Sequence, residues 1–340
     1  MKTSIAILTA ALAVACSSSE APAPIEQQAP SSLRGVNLAG ADFGEQNLPG
    51  VYDKDYTYPT HAEVDYFVSK KMNLIRLPFR WERLQPTLGA DFDPAELARL
   101  TGVVDYATSR GARVLIDPHN YARYYGAIIG QGPTADDFAA FWGRLAERFA
   151  KNQRVVFGLM NEPYDIQAED WLAAANAALV AIRNTGAENL VLVPGINYSN
   201  AGAWYQDWGF GVSSKVMGGV VDPADHFLYE VHLYMDSDGS GTSPDCVSAT
   251  AGSDVIWAFT AWLEKSGQRA ILGEFGAGAN DTCLSALDDL LTYLDDHSDV
   301  WAGWAYWAAG PWWPSNNAYS VEPENGMDKP QMAVLAKHLP

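Results

Sequence analysis

Along most of the chain, short apolar runs alternate with longer segments whose apolar positions recur every three or four residues. The short runs are Gly35–Leu38, Leu74–Leu77, Arg113–Asp117, Val155–Gly158, Leu190–Val193, Phe227–Val231, Ala270–Gly273 and Val300–Ala305. Each spans four to six residues, and their starts recur at intervals of 30 to 43, which reads as eight strands buried on both faces. Between them the spacing predicts helices with visible ends. In "DPAELARLTGVVDYATSRG", Asp93 is placed to cap, Pro94 suits the first helical position, and Glu96 gives a capping-box pattern. Leu97, Leu100, Val103, Val104 and Ala107 then share a face, and Gly111 marks the stop. Phe138, Phe141, Trp142, Leu145 and Phe149 repeat the period in the next segment.

Strands that alternate with helices pair in parallel through right-handed crossovers. Eight such units in about 300 residues predict an α/β fold, a closed (β/α)8 TIM barrel forming a single domain over residues 33–340. No glycine-rich phosphate fingerprint follows the first run, which argues against an open dinucleotide-binding sheet.

The first 32 residues read differently. Lys2, an apolar run from Ile5 to Val14 and Ala15 form a secretory signal peptide over residues 1–15, too short to span a membrane as a helix. "LAVAC" resembles a bacterial lipoprotein processing site, at which Cys16 would be lipidated and become the N-terminus, although Ala13 stands where Leu is commonest. Residues 16–32 are rich in Ser, Pro, Ala and Gln and read as a flexible tether. The expectation is an exported monomer, held at the cell envelope by a lipid or released, with no other membrane contact. Lipidation of Cys16 would leave Cys246 and Cys283 as an even pair for a disulfide in an oxidising compartment. The 340 residues carry 41 Asp and Glu against 22 Lys and Arg, a net charge of −19, which excludes nucleic acid as a natural partner. The same acidity keeps an exported protein soluble and says nothing about its chemistry.

In a barrel of this kind the chemistry stands where strands end, at the C-terminal face. The second run leads into "IRLPFRWERLQP", placing Arg76 near the rim, and the third into "IDPHNYARYY", with His119, Asn120 and Tyr121. The fourth, "VVFGLMNEPY", stops at Asn161 and Glu162, and in the sixth, "YEVHLYMD", His232 and Tyr234 alternate onto one face. The seventh, "ILGEFG", carries Glu274, and the eighth, "GWAYWAAGPWW", carries Trp307. One polar ending is ordinary loop chemistry; six at one end of a barrel make a site. Glu162 and Glu274, on opposed strands, supply the two carboxylates that glycoside hydrolysis needs, one protonated to serve the leaving oxygen and one ionised to attack the anomeric carbon. Arg76 can keep a neighbouring carboxylate ionised, and Asn161 can bind a sugar hydroxyl. Twelve tryptophans offer flat faces for pyranose rings. Period-two alternation assigns Trp304 to outer packing and Trp307 to the site. Trp312 and Trp313 suit a loop core, and Trp204 and Trp208 serve either sugar or packing. His119 and His232 could instead hold a metal, but "GVNLAGADFG" lacks the paired histidines such sites use near the first strand, so neither metal nor cofactor is expected.

These residues resemble glycoside hydrolase family 5, the retaining (β/α)8 cellulases, and within it the fungal-type endoglucanases, over roughly residues 33–340. "NEP" at Asn161–Pro163 and Glu274 carry the family likeness; "DPHNYARYYG", "HLYMDSDGSGTSPDC" and "ILGEFGAGANDTC" carry the subgroup likeness. The resemblance implies endo-acting hydrolysis of β-1,4-glucosidic bonds by retaining double displacement, without a metal. It implies Glu162 as acid/base and Glu274 as nucleophile, with Arg76 and Tyr234 hydrogen-bonded to the nucleophile. Asn161 would contact the 2-hydroxyl, His119 and His232 would line the same subsite, and Trp307 would form its floor. A Cys246–Cys283 disulfide would join two rim loops. The chain has no recognisable cellulose-binding module, so soluble or amorphous β-glucan is the expected partner. Mannan, xyloglucan and mixed-linkage glucan remain open on the same scaffold. Of other classes, a non-catalytic glycan-binding lipoprotein suits the tether and tryptophans but has no need for two carboxylates, and a metal-dependent barrel hydrolase remains as a third.

Overall fold

The computed structural model describes residues 32–314 and 316–340. The expected signal peptide, Cys16 and all of the expected tether but Ser32 lie outside the described residues. Eight strands form one closed parallel barrel: β1 Leu33–Leu38, β2 Leu74–Phe79, β3 Arg113–Pro118 and β4 Val155–Gly158. They continue with β5 Val191–Pro194, β6 Phe227–Tyr234, β7 Ala270–Gly276 and β8 Trp301–Ala309, which closes on β1. All eight expected runs are strands. Several extend further than their apolar stretch, β6 to Tyr234 and β7 to Gly276, because their polar ends keep the ladder while pointing inward to partners.

Apart from a single turn at Trp81–Leu84, the helices between and after the strands are α1 His61–Ser69, α2 Pro94–Ser109, α3 Ala135–Phe149, α4 Ala168–Asn184 and α5 Ser213–Val216. The last three are α6 Ala251–Ser266, α7 Asp281–Asp296 and α8 Pro330–Leu335. Asp93 caps α2 as expected, accepting the Glu96 N–H at 2.8 Å. Glu96 does not close a capping box. Its carboxylate instead accepts from the buried Tyr56 and Tyr58 hydroxyls, at 2.7 and 2.9 Å, because two buried phenols require an acceptor there. Among the described residues, no helix is long and apolar enough to cross a membrane.

The barrel interior is layered by the strand period of two. Its bottom layer is apolar and takes a residue from every strand: Leu33, Leu74, Leu115, Val156, Leu192, Leu228, Ile271 and Ala302. Two residues further along β2, β3 and β6 stand Arg76, Asp117 and Glu230; two further along β4 and β7 stand Gly158 and Gly273. A charged floor therefore rests on an apolar plug. The opposite strand faces pack on the helices in a second, larger core, which takes in Trp142 of α3 and Trp171 of α4. Each of these donates its indole N–H to a carbonyl at a strand end, Leu159 and Pro194 respectively.

Trp204 belongs to this outer packing, edge-on to Tyr229, Phe259 and Trp262, whereas Trp208 is 47% exposed in a loop. Trp304 also packs outward, against Phe275. Trp312, expected in a loop core, is 38% exposed, while Trp313 packs edge-on to Phe43 and Trp307.

Cys246 and Cys283 are bonded, tying the loop after β6 to the first turn of α7 across 37 residues of sequence. Closing a loop of that length stabilises the fold by roughly 3–4 kcal/mol in the chain-entropy treatment. The double variant Cys246→Ser/Cys283→Ser is expected to lose about that much in a denaturant titration, read as a lower midpoint with a steeper slope, because the unfolded chain expands without its cross-link.

Candidate active site

Arg76 is central to the site. The sequence suggested a place near the rim, but the residue sits mid-strand and is 0% exposed beneath the cleft, because β2 continues to Phe79. Its Nε donates to Glu230 Oε1 at 2.9 Å. One terminal nitrogen donates to Asn37 at 2.9 Å and to Glu274 Oε1 at 2.7 Å. The other donates to Asn161 Oδ1 at 2.8 Å and lies 3.1 Å from Asp117 Oδ2. A guanidinium has five N–H groups in a fixed fork; four donate hydrogen bonds here, and Asp117 adds an ion pair.

Glu274 stands within β7, held by Arg76 on one oxygen and by the Tyr234 hydroxyl at 3.1 Å on the other. Glu162 follows β4 on a loop whose φ at that residue is +41°, the left-handed region that costs a non-glycine roughly 1–2 kcal/mol. The loop is fixed by backbone stitches: Asn161 N–H to Pro118 O at 3.0 Å, Tyr121 N–H to Asn161 O at 3.0 Å, and Tyr198 N–H to Pro163 O at 3.1 Å. Donor oxygens of Glu162 and Glu274 and a ring nitrogen of His232 lie within 4.8 Å of one another. The strands behind the two glutamates are three staves apart around the barrel, not diametrically opposed.

His232 bridges the pair. Its Nδ1 lies 2.6 Å from Glu162 Oε1 and 3.6 Å from Glu274 Oε2, and its Nε2 lies 3.6 Å from Glu230. Burial opposes its charge, but Glu274, Glu162 and Glu230 outweigh that and raise its pKa to about 10, so it is an imidazolium. His119 is the opposite case. Its Nδ1 contacts Asp117 at 2.9 Å and its ring stacks on Trp307 with centroids 5.6 Å apart; burial depresses its pKa to about 3, so it is neutral. Burial raises Glu274 above the ordinary carboxylate range, opposed by His232 and Arg76 and reinforced by the charge of Glu162. Burial likewise raises Asp117, against Arg76. Glu230 moves down, because Arg76 and His232 outweigh its burial.

All eight residues expected at the site converge: Arg76, His119, Asn161, Glu162, His232, Tyr234 and Glu274 through hydrogen bonds, and Trp307 through its stack on His119. The sequence reading passed over Asp117, Glu230 and Asn37. A signal existed for two of them: Glu230 precedes His232 by two positions and Asp117 precedes His119 by two, so each shares its partner's face. The Asn161 amide Nδ2 is buried without a protein partner, leaving a donor free for a ligand at the floor.

Above this floor lies a cleft of about 500 Å³, lined among others by Glu162, Tyr164, Tyr198, Trp208 and Ser240. Tyr164 and Tyr198 are stacked at 4.5 Å, and Arg123 covers the Tyr164 ring at 3.6 Å. Aromatic faces beside hydroxyl and carboxylate groups suit a sugar, whose C–H faces are apolar and whose edges carry hydroxyls. Glu162, His232 and Glu274 are also, among the described residues, the grouping with donors suited to a metal. Arg76 and the His232 imidazolium already supply the positive charge a cation would bring.

The sequence matches the family Cellulase (glycosyl hydrolase family 5) over residues 27–310. The chain belongs to glycosyl hydrolase family 5. A probable endo-beta-1,4-glucanase B of Aspergillus oryzae is 41% identical over 320 residues, covering 93% of each chain. The crystal structure of an endo-beta-1,4-glucanase from Xanthomonas axonopodis pv. citri superposes with a TM-score of 0.89 at 44% identity, over 91% of this chain and 98% of that one. XacCel5A, solved in complex with cellopentaose, superposes with a TM-score of 0.89 at 43% identity, over 90% and 99%.

A pH dependence of stability follows from His119. Its folded pKa of about 3 lies below the ordinary 6.5, so its contribution is present in full above pH 6.5 and is lost as pH falls toward 3. Asp117 and Glu274, whose affinities are raised, act in the opposite direction, so the term is isolated by difference. Denaturant midpoints of His119→Gln are expected to fall less steeply than wild type from pH 6.5 toward 3.

Proposed function

We propose that this protein is an endo-acting β-1,4-glucanase that cleaves cellulose chains, in soluble or amorphous form, with retention of configuration. The observation that carries this reading is the glutamate pair, with carboxylate oxygens within 4.8 Å, close to the ~5–5.5 Å carboxyl spacing of retaining enzymes and well short of the ~6.5–9.5 Å of inverting ones. Glu274 is the nucleophile. Arg76 and Tyr234 hold its two oxygens, so the attacking lone pair is aimed by the floor and not by a mobile loop. Glu162 is the acid/base. Its Oε1 accepts from His232, which leaves Oε2 to carry the proton for the leaving oxygen.

In the first step Glu274 bonds to the anomeric carbon, the glycosidic bond breaks, and the proton of Glu162 passes to the departing hydroxyl. In the second, Glu162 removes a proton from water, water bonds to the anomeric carbon, and Glu274 is released. The His232 imidazolium stabilises Glu162 in its ionised interval between the steps. The free Asn161 Nδ2 is placed for the 2-hydroxyl, and Trp307 with His119 forms the subsite floor. No step requires a metal. Exposed Tyr198 and Trp208 extend the cleft beyond Glu162, which supports binding in mid-chain.

Glu162→Gln and Glu274→Ala, assayed on carboxymethylcellulose, are each expected to lose at least about 100-fold in kcat/KM, the lower bound for removing a general acid or a nucleophile. Wild-type cleavage of cellopentaose should give the β-anomer first by NMR and survive excess chelator. Near wild-type activity in either variant, or initial α-product, rejects the mechanism; faster cleavage of mannan, xyloglucan or mixed-linkage glucan reassigns the substrate.

Export rests on the apolar run from Ile5 to Val14 and on the Cys246–Cys283 bridge, with Cys16 as the lipid anchor. Mass spectrometry of the mature N-terminus is expected to find a diacylglyceryl Cys16; an unmodified peptide spanning Cys16 rejects the anchor.

A further inference from the structure

Glu230 is a buried carboxylate that the mechanism above does not use. It is 0% exposed, so no substrate reaches it. Its Oε1 accepts from Arg76 Nε at 2.9 Å and lies 3.6 Å from His232 Nε2; its Oε2 has no partner. Each of those cations continues to one of the two glutamates: Arg76 to Glu274 at 2.7 Å, His232 to Glu162 at 2.6 Å. The neighbouring strand β7 is cut back to accommodate it: a Cβ on Gly273 would lie 2.1 Å from Glu230 Oε1. Burying a carboxylate costs several kcal/mol in desolvation, and an apolar side chain at this layer would avoid that cost.

We propose that Glu230 is a positioning residue: it anchors the backs of Arg76 and His232, so that one buried anion fixes the cation beneath the nucleophile and the cation beside the acid/base together. This rests on the reading of Glu162 and Glu274 given above. The titratable groups around Glu230 are Arg76, Asp117 and His119 from β2 and β3, Glu162 from the β4 end, His232 and Tyr234 from β6 and Glu274 from β7.

Glu230→Gln keeps the volume and removes the charge. His232 then loses an anion and gives up its proton at lower pH. Glu274 loses a like charge and ionises at lower pH as well. Both limbs of the kcat/KM against pH profile are therefore expected to move acidward, by roughly one unit for a charge at this distance. Glu230→Asp keeps the charge on a shorter arm and is expected to retain the wild-type limbs with a lower kcat. A purely structural Glu230 would lower the denaturant midpoint and scale activity at every pH without moving the limbs. Wild-type limbs in Glu230→Gln, or identical limbs in the Gln and Asp variants, overturn the proposal. Should Glu230→Gln not fold, the intact enzyme still decides, by NMR titration of His232 assigned with His232→Asn: a charged ring at pH 8 is expected, and a neutral ring there overturns the proposal. Failure of the underlying reading shows separately, as retained activity in Glu274→Ala.

Discussion

The site depends on a single buried guanidinium. Arg76 has no water to fall back on; it donates to Glu230, Asn37, Glu274 and Asn161 and pairs with Asp117. Those partners come from β6, β1, β7, the β4 end and β3, so one side chain constrains the relative height of most of the barrel. A one-residue slip of β2 would turn Arg76 to the helical layer and leave three carboxylates in the barrel without their shared cation. Register and chemistry are thus set by the same contact.

The second consequence is electrostatic. Four carboxylates, Asp117, Glu162, Glu230 and Glu274, surround two cations, and burial makes the charges of Asp117, Glu230 and Glu274 expensive. The floor resolves this unevenly. Glu230, wedged between Arg76 and His232, gives up its proton readily, while Asp117 and Glu274 are raised. The two histidines split likewise: His232 among carboxylates is an imidazolium, and His119, facing Asp117 and a tryptophan ring, is neutral. On the functional reading proposed here, a fixed positive charge sits beside the group that cycles between acid and base, and an uncharged ring sits against the sugar subsite.

Much of this was legible in order and period. The eight strands follow from apolar runs, and the residues at their polar ends were identified because an ending that presents Asn161 and Glu162 has no use in a core. What the sequence hid was depth. Arg76, Asp117 and Glu230 all fall inside expected runs, yet Arg76 was placed near the rim and the other two were passed over, since charged residues inside a strand look like errors until their partners are known. Those partners lie 154 residues apart for Arg76 and Glu230, a distance over which local pattern carries no information. Glu96 misled for the same reason: its spacing from Asp93 suggests a capping box, but two phenols from an earlier loop compete for its oxygens and win. The place of Trp204 in the packing was likewise decided only by tertiary contacts.

The two glutamates are held in different ways, and the difference matches what a double displacement asks of each. Glu274 lies within a continuous strand, with both oxygens bound from the floor; a nucleophile that must form and release one bond gains from having a single aim. Glu162 stands on a strained turn outside its strand, held by three backbone stitches and one imidazolium, with its other oxygen toward the cleft. An acid that gives a proton to a sugar and later takes one from water must present the same oxygen to two differently placed partners. Rigid strand below and a stitched but irregular loop above provide both properties, and the period-two layering of apolar plug, charged floor and open cleft is what lets one barrel hold them a few ångströms apart.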